Sequence, residues 1–411
     1  MKKYPKYKDS GNKWLGQIPE HWKVGKIKLL CDSIFAGATP STGKQEYWEG
    51  GSIPWIPSGC CHDCKIKEAP KFITEAGLQN SSTKMIPANT TVMALTGATC
   101  AQLGYLTFEA CSNQSVVAFV ENKKKADSRF LYYSLYAARE EILTHKSGGA
   151  QGGINQEDCR NTQIVIIPLS EQQAIANFLD KKTGEIDQAI ALLETQKTDL
   201  QAYRQALITE TVTKGLNPNA PMKDSGIQWI GEIPETWKVD KLKLLFILHR
   251  GYDLANSNFV DGGVPVYGSG GFMGYHNEIK VLAPNIVIGR SGSVGKLHYI
   301  TEDFWAHNTG IYISDTKENN VKYLYYILSS FDVSALATKT AVPTLDRKKI
   351  QEKVFPYTTN IIEQQAIVEY LDKKTSDIDT AIQKINTQIA DLQAYRTALI
   401  SEAVTGKIDV R

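Results

Sequence analysis

The stretch 171–213, EQQAIANFLDKKTGEIDQAIALLETQKTDLQAYRQALITETVT, returns at 363–405 as EQQAIVEYLDKKTSDIDTAIQKINTQIADLQAYRTALISEAVT, without a gap and with 28 of 43 positions identical. In the first copy Leu179, Ile186, Leu193, Leu200 and Leu207 recur every seventh residue. Leu371, Ile378, Ile385, Leu392 and Leu399 do so in the second, with Ile190, Ile382 and Ile389 at the alternate positions. An apolar repeat of seven, held for five heptads, predicts a long helix seeking a helical mate. At a rise of about 1.5 Å per residue each helix is about 60 Å long. The other copy, tethered in the same molecule and patterned alike, is the expected mate. Start signals stand upstream: Pro168 with a capping box from Ser170 and Gln173, and Pro356 with another from Asn360 and Glu363. Gly215 with Pro218, and Gly406, mark the ends.

A second repeat lies ahead of each variable part. KDSGNKWLGQIPEHWKVGKIKLL (8–30) and KDSGIQWIGEIPETWKVDKLKLL (223–245) share 16 of 23 positions. Their tryptophan pairs, Trp14 with Trp22 and Trp229 with Trp237, flank an Ile-Pro turn and are expected to brace the chain on apolar helix surface. The order is therefore brace, module, helix, repeated once. The stretch between brace and helix is 23 residues longer in the first half. Two complete units in one chain predict a pseudo-twofold body with antiparallel helices and a module at each end.

The modules look mixed. Thr90–Leu95, Ser115–Val120 and Gln163–Ile167 read as strands and Ser128–Leu143 as a helix, with Phe130, Leu131, Leu135, Ala138 and Ile142 on one side. In the second half Asn285–Gly289, Gly310–Ser314 and Val321–Leu328 are their faint echoes. GlyAlaThr at 97–99 parallels GlySerVal at 292–294, and Asn113 parallels Asn308. Shared scaffolds with divergent loops predict two related sites reading different targets.

Composition sets bounds. The chain has 411 residues, 42% hydrophobic and 22% charged, as in ordinary globular proteins of two or three domains. It has no run long enough to span a membrane and no apolar leader, so a cytoplasmic protein is expected. All seven cysteines precede residue 160, against a disulfide framework. Residues 171–215 and 363–407 each net −2, so the +2 overall leaves +6 on the rest. That fits an anionic partner such as nucleic acid, and equally an uneven surface charge.

Catalytic and metal motifs are absent. GRSGSVGK (289–296) has Arg290 where a phosphate loop needs Gly and Leu297 where it needs Ser or Thr, and reads as a connection between strands. Cys60, Cys61 and Cys64 have the spacing of half a zinc site without a second half, and no metal is expected. SGGAQGGIN (147–155) reads as a backbone-contacting loop or a plain turn, and the basic runs 123–125 and 347–349 as solvated faces or phosphate contacts. No Ser-His-Asp set, redox motif or Asn-Pro-Pro-aromatic tetrad of an adenine methyltransferase is present.

The paired brace W-(L/I)-G-x-I-P-x-x-W at 14–22 and 229–237, and the paired EQQAI…LDKKT…ID…AI helices from Glu171 and Glu363, resemble the specificity subunit of type I restriction–modification systems. GATPSTGKQEYWEGGSIPWIPSG (37–59) and NIVIGRSGSVG (285–295) resemble that family's target-recognition domains, while the cysteines at 60–64 depart from it. The resemblance implies an α+β protein of two mixed α/β target-recognition domains joined by two long antiparallel coiled-coil helices with pseudo-twofold symmetry. The expected divisions are a first brace and recognition domain (1–168), a central helix (169–216), a second brace and domain (217–358) and a C-terminal helix (359–411). The implied role is non-catalytic: recognition of a bipartite, asymmetric site on double-stranded DNA, the helices setting the gap. Two modification subunits would bring S-adenosylmethionine and adenine-N6 methylation, and restriction subunits ATP- and Mg-dependent cleavage. A stand-alone DNA-binding protein and a coiled-coil adaptor are the alternatives. Base readers are expected on loops: Thr39, Thr99, Asn113, Gln114 and Gln151 in the first module, and Ser269, Arg290, Ser293, His307, Asn308 and Lys339 in the second. Arg290 leads, because Arg is the commonest reader of guanine.

Overall fold

The computed structural model describes residues 2–148, 152–341 and 343–411. The two repeats form continuous helices, Leu169–Lys214 and Ile361–Val404, of 46 and 44 residues. The chain divides into two compact units, Met1–Leu192 with Gln388–Arg411, and Leu193–Thr387. Each unit therefore takes the first half of one helix and the second half of the other.

Within each unit the helix segments run antiparallel. In the first, Glu171 at the start of one helix lies 3.8 Å from Arg411, beyond the end of the other, and Asp187 meets Nε of Arg396 at 2.9 Å. In the second, Gly215 sits beside the Glu363 carboxylate, and Arg204 Nε meets Asp379 at 2.9 Å. The heptad residues supply the seam. Leu179, Ile186 and Leu399 are buried in the first unit, and Leu207, Leu371, Ile378 and Ile385 in the second, while Leu193, Leu200 and Leu392 are half-buried.

The identities outside the seam have local causes. Glu171, almost fully buried, accepts from Trp22 Nε1 at 3.0 Å and contacts His21 Nε2 at 3.0 Å; Trp237 Nε1 donates to Glu363 at 3.0 Å. A carboxylate in a helix's first turn also faces the positive end of the backbone dipole. The next residue is a glutamine with no exposure to solvent in the first unit. Gln172 Oε1 accepts from Asp127 N at 3.0 Å, and its Nε2 donates to the carbonyls of Lys125 and Ile167. Gln364 makes a matching set, accepting from Asn320 N and donating to Thr358 O and to the side-chain Oδ1 of Asn319. Asp180 accepts from Tyr133 Oη and Arg129, and Asp372 from Tyr326 Oη and Lys322. The brace, the module's helix and the long helix are thus joined by buried and half-buried polar contacts, which define one arrangement where apolar contact alone would tolerate several.

One tryptophan of each brace does the anchoring. Trp22 and Trp237 are buried; Trp14 is half-buried with Nε1 on Gln163 O, and Trp229 is half-exposed against Phe355. The first brace also receives the chain's tail, Lys407 Nζ donating to Leu15 O at 2.9 Å, and Asp409 N donates to Lys2 O at 2.8 Å.

The first module carries a five-stranded mixed sheet in the order Cys31–Ala36, Val116–Glu121, Thr90–Ala94, Leu103–Leu106, Cys64–Ile66, the last pair parallel. A smaller sheet, Cys111–Ser112, Ile53–Ile56, Lys71–Ile73, lies beyond it. The second module has four antiparallel strands, Ile247–Arg250, Gly310–Asp315, Asn285–Gly289, Leu297–Ile300, and a small sheet Gly271–His276, Val264–Gly268, Trp305–Ala306. The edge strand Cys64–Ile66 and the short helix Glu75–Gln79 occupy the extra length of the first half.

Two local expectations are corrected. The helix over 128–143 is two helices, Ser128–Ala137 and Arg139–Leu143. The break at Ala138 turns Arg139 so that its guanidinium binds Ala101 O and pairs with Asp63. Ser170 is not the cap of the first long helix, which begins at Leu169, with Pro168 O accepting from Glu171 N and Gln172 N. Asn360 does cap the second, accepting from Ile362 N at 3.0 Å.

The seven cysteines are free thiols. Cys64 opens an exposed edge strand, whereas Cys61 and Cys159 are buried. Burial pushes the Cys31 and Cys159 thiols up to about 12. Among the described residues no group of three His, Cys, Asp or Glu is placed to hold a metal, and no helix is long and apolar enough to cross a membrane.

Two outcomes follow from this packing. Gln172→Leu leaves three backbone groups unpaired and is expected to cost about 3 kcal/mol in urea unfolding, whereas exposed Gln173→Leu stays within about 0.5 kcal/mol. At pH 8 a thiol reagent should modify Cys64 in the native protein first, with Cys31, Cys61 and Cys159 reacting only on unfolding, as read by mass spectrometry of quenched samples.

Candidate nucleic-acid interface

The loops expected to carry recognition converge in each module because the strand ends are pinched together. In the first module Gly37 lies against Ser112 so closely that a Cβ would sit 2.0 Å from its carbonyl oxygen. Only glycine allows that approach. Ala38 N then donates to Ser112 O at 2.9 Å, and Asn113 N to Ile56 O at 3.1 Å. This sets Thr39 beside Gln114, hydroxyl to amide oxygen at 2.7 Å, with both residues exposed. Asn113 is half-buried and turns its Oδ1 back to Ser115 N. Thr99 stands on the neighbouring loop, tied in through Leu95 N to Ser115 O, and Thr96 bridges to Gly153. Gln151 lies outside the described residues.

The second module repeats the pinch with other chemistry. A Cβ on Gly251 would sit 2.1 Å from His307 O. Asn308 Nδ2 donates to Asp253, whose Oδ1 also accepts from Arg250 at 2.8 Å. Arg290 is gripped through its backbone, N donating to Thr309 O and O accepting from Leu345 N, both at 2.8 Å. Its guanidinium reaches Asn308 O at 3.5 Å. Ser269 N donates to Thr309 Oγ1, and Ser293 closes the turn over Gly289. His307 is half-buried, which lowers its pKa and favours the neutral ring at pH 7. Lys339 is exposed on the adjoining loop. Ser269, Arg290, Ser293, His307 and Asn308 are thus brought to one end of the sheet.

The GRSGSVGK segment is a turn between antiparallel strands, with Gly292 and Gly295 at positive φ and Leu297 beginning the return strand. No helix follows it, so the amide cradle of a phosphate loop is not built. Beside it the structure adds His249 and Arg250, not singled out from sequence, and draws in Arg347 from the basic run 347–349. His249, Arg250 and Arg347 line a cleft with Arg290, Ile311 and Leu345. The run reads from sequence as a solvated face or a phosphate contact, and only the fold carries Arg347 to Arg290. The arrangement offers hydrogen-bond donors and positive charge on loops held by rigid strands. That suits recognition of an anionic, hydrogen-bonding surface rather than bond-making chemistry.

A family model described as type I restriction modification DNA specificity domain matches residues 19–201 and 234–390, most of the chain. The MjaVIII specificity subunit of Methanocaldococcus jannaschii is 22% identical over 96% of this chain and 95% of its own length. The EcoprrI specificity subunit of Escherichia coli is 24% identical over 86% and 88%. The EcoR124I/EcoR124II specificity subunit of Escherichia coli is 27% identical over a shorter region, 43% of this chain and 45% of that one. Among solved structures, a chain from a study of assembly and conformational transition in the type I R-M system superposes with a TM-score of 0.75, covering 95% of this chain and 99% of that one at 15% identity. The HsdS subunit from Thermoanaerobacter tengcongensis gives 0.52, covering 95% and 98% at 16% identity. With the family model matched in both halves and over most of the chain, the chain belongs to the type I restriction–modification DNA specificity family.

Proposed function

We propose that this chain is the non-catalytic DNA-recognition subunit of a type I restriction–modification complex, each module reading one half of a bipartite, asymmetric site on double-stranded DNA. The observation that carries the reading is the contrast between supports and loops. Glu–Trp, Gln–backbone and Asp–Tyr contacts recur in both units, while the loops present Thr39 with Gln114 in one and Arg290, Asn308 and Asp253 in the other. Two probes alike in mounting and unlike in chemistry fit two unlike half-sites. Thr39, Thr99, Asn113, Gln114, Gln151, Ser269, Arg290, Ser293, His307, Asn308 and Lys339 are the proposed contacts.

The pseudo-twofold arrangement belongs to the same reading. It is supported by reciprocal ion pairs: Asp187 with Arg396 and Asp379 with Arg204 exchange equivalent partners between the repeats, as isologous contacts do. The helices then set the unread base pairs between the halves.

Two modification subunits and the restriction subunits are the proposed partners, supplying S-adenosylmethionine, ATP and Mg in the cytoplasm. Support for a doubled partner lies on the helix surface. Asp199, Gln201, Ala202 and Tyr203 match Asp391, Gln393, Ala394 and Tyr395, and all eight are exposed. Packing within the chain does not require identity there. A surface presented twice fits two copies of one partner.

Co-expressed with its modification subunits, the chain should direct adenine-N6 methylation to a motif of two short halves around an unspecified gap, read by methylome sequencing; a continuous motif or none contradicts the reading. Replacing residues 31–168 with the corresponding module of a relative should change one half and leave the other. Tyr203→Glu with Tyr395→Glu should weaken capture of the modification subunits at least tenfold while leaving the thermal midpoint of the isolated chain within a few degrees, as checked by co-purification and calorimetry.

A further inference from the structure

The second module holds two half-buried arginines without an acid. The chain has nine arginines. Arg129, Arg139, Arg160, Arg204, Arg250, Arg396 and Arg411 each pair with an Asp or Glu. Arg290 and Arg347 do not, among the described residues, and both line one cleft. Arg347 donates from Nη1 to Leu248 O at 2.9 Å, and Arg290 reaches only Asn308 O at 3.5 Å. Among the described residues each guanidinium spends one of its five donors on a backbone carbonyl. Arg250 and His249 stand on the same wall. The one acid in the lining, Asp346, has its Oδ1 engaged by Lys348 N at 2.9 Å.

Bringing like charges together in a partly desolvated cleft costs free energy unless an anion completes it. Planar, forked donors match the oxygens of a phosphodiester, and a guanidinium pinned by a backbone carbonyl is already oriented for it. Among the described residues the first module has no counterpart. Where Arg347 binds Leu248 O, Gln156 binds Ile34 O and Ala36 N instead.

We infer that this cleft is a phosphate site which grips the DNA backbone at the second half-site, with Arg290 and Arg347 as the gripping residues and Arg250 beside them. The inference rests on the DNA-recognition reading and changes the expected role of Arg290 from reader of a base to holder of register. The two modules then anchor unequally, the second by charge.

The test uses the complex of this chain with its modification subunits on a duplex carrying the methylated motif, with affinity measured by fluorescence anisotropy from about 0.05 to 0.3 M salt. Each phosphate contact contributes about 0.9 to the slope of log K against log salt. The Arg290→Gln, Arg347→Gln double variant should lower that slope by about 1 to 2 and weaken binding about tenfold or more near 0.1 M salt, with the methylome motif unchanged. Arg347→Lys should keep the slope, and an unchanged thermal midpoint shows that the fold is intact. A slope equal to wild type overturns the inference, as does a motif that loses one specified base, which makes Arg290 a base reader. Neither result touches the wider reading, which falls only if the wild-type complex shows no bipartite motif.

Discussion

An apolar stripe five heptads long cannot be left in water, and the rest of this structure follows from how it is covered. Each long helix is covered along its first half by one module with its brace and along its second half by the other, while the partner helix takes the remaining face. At a few kcal/mol for each large apolar side chain buried, the seam dominates the stability of the helices. It does not by itself fix register or partner. That is the work of a few polar groups: Glu171 and Glu363 on the tryptophans, Gln172 and Gln364 on loop backbone, Asp180 and Asp372 on the module tyrosines.

Much of this was legible before any coordinates. The gapless repeats 171–213 and 363–405 lie within two residues of the helices at either end, although the C-terminal division 359–411 runs past the helix end at Val404. Asn285–Gly289 is legible at its true length, because Ile286, Val287 and Ile288 stand as an apolar run between Pro284 and the glycine-rich turn. The failures were tertiary. Nothing near Ala138 breaks a helix; distant partners of Arg139 do. Pro168, not Ser170, opens the first long helix.

The candidate site was legible as a set of loops but not as a set of contacts. Thr39 and Gln114 are 75 positions apart, and their hydrogen bond depends on the glycine pinch at Gly37. In the sequence Arg347 is part of a basic run that reads as a solvated face or a phosphate contact. Its significance appears only when every other arginine is seen to hold an acid and these two are not. Charge that is unpaired, half-buried and gathered in one cleft is a property of the fold, invisible in composition.

The central claim is that the paired helices measure the distance between two dissimilar readers. Its most direct measurement is the methylome of a complex whose specificity chain carries one added heptad in the middle of each helix. Seven residues add about 10 Å, roughly three base pairs of duplex. The account predicts unchanged half-sites separated by a correspondingly longer gap. An active complex that methylates the original motif with its original spacing would contradict it.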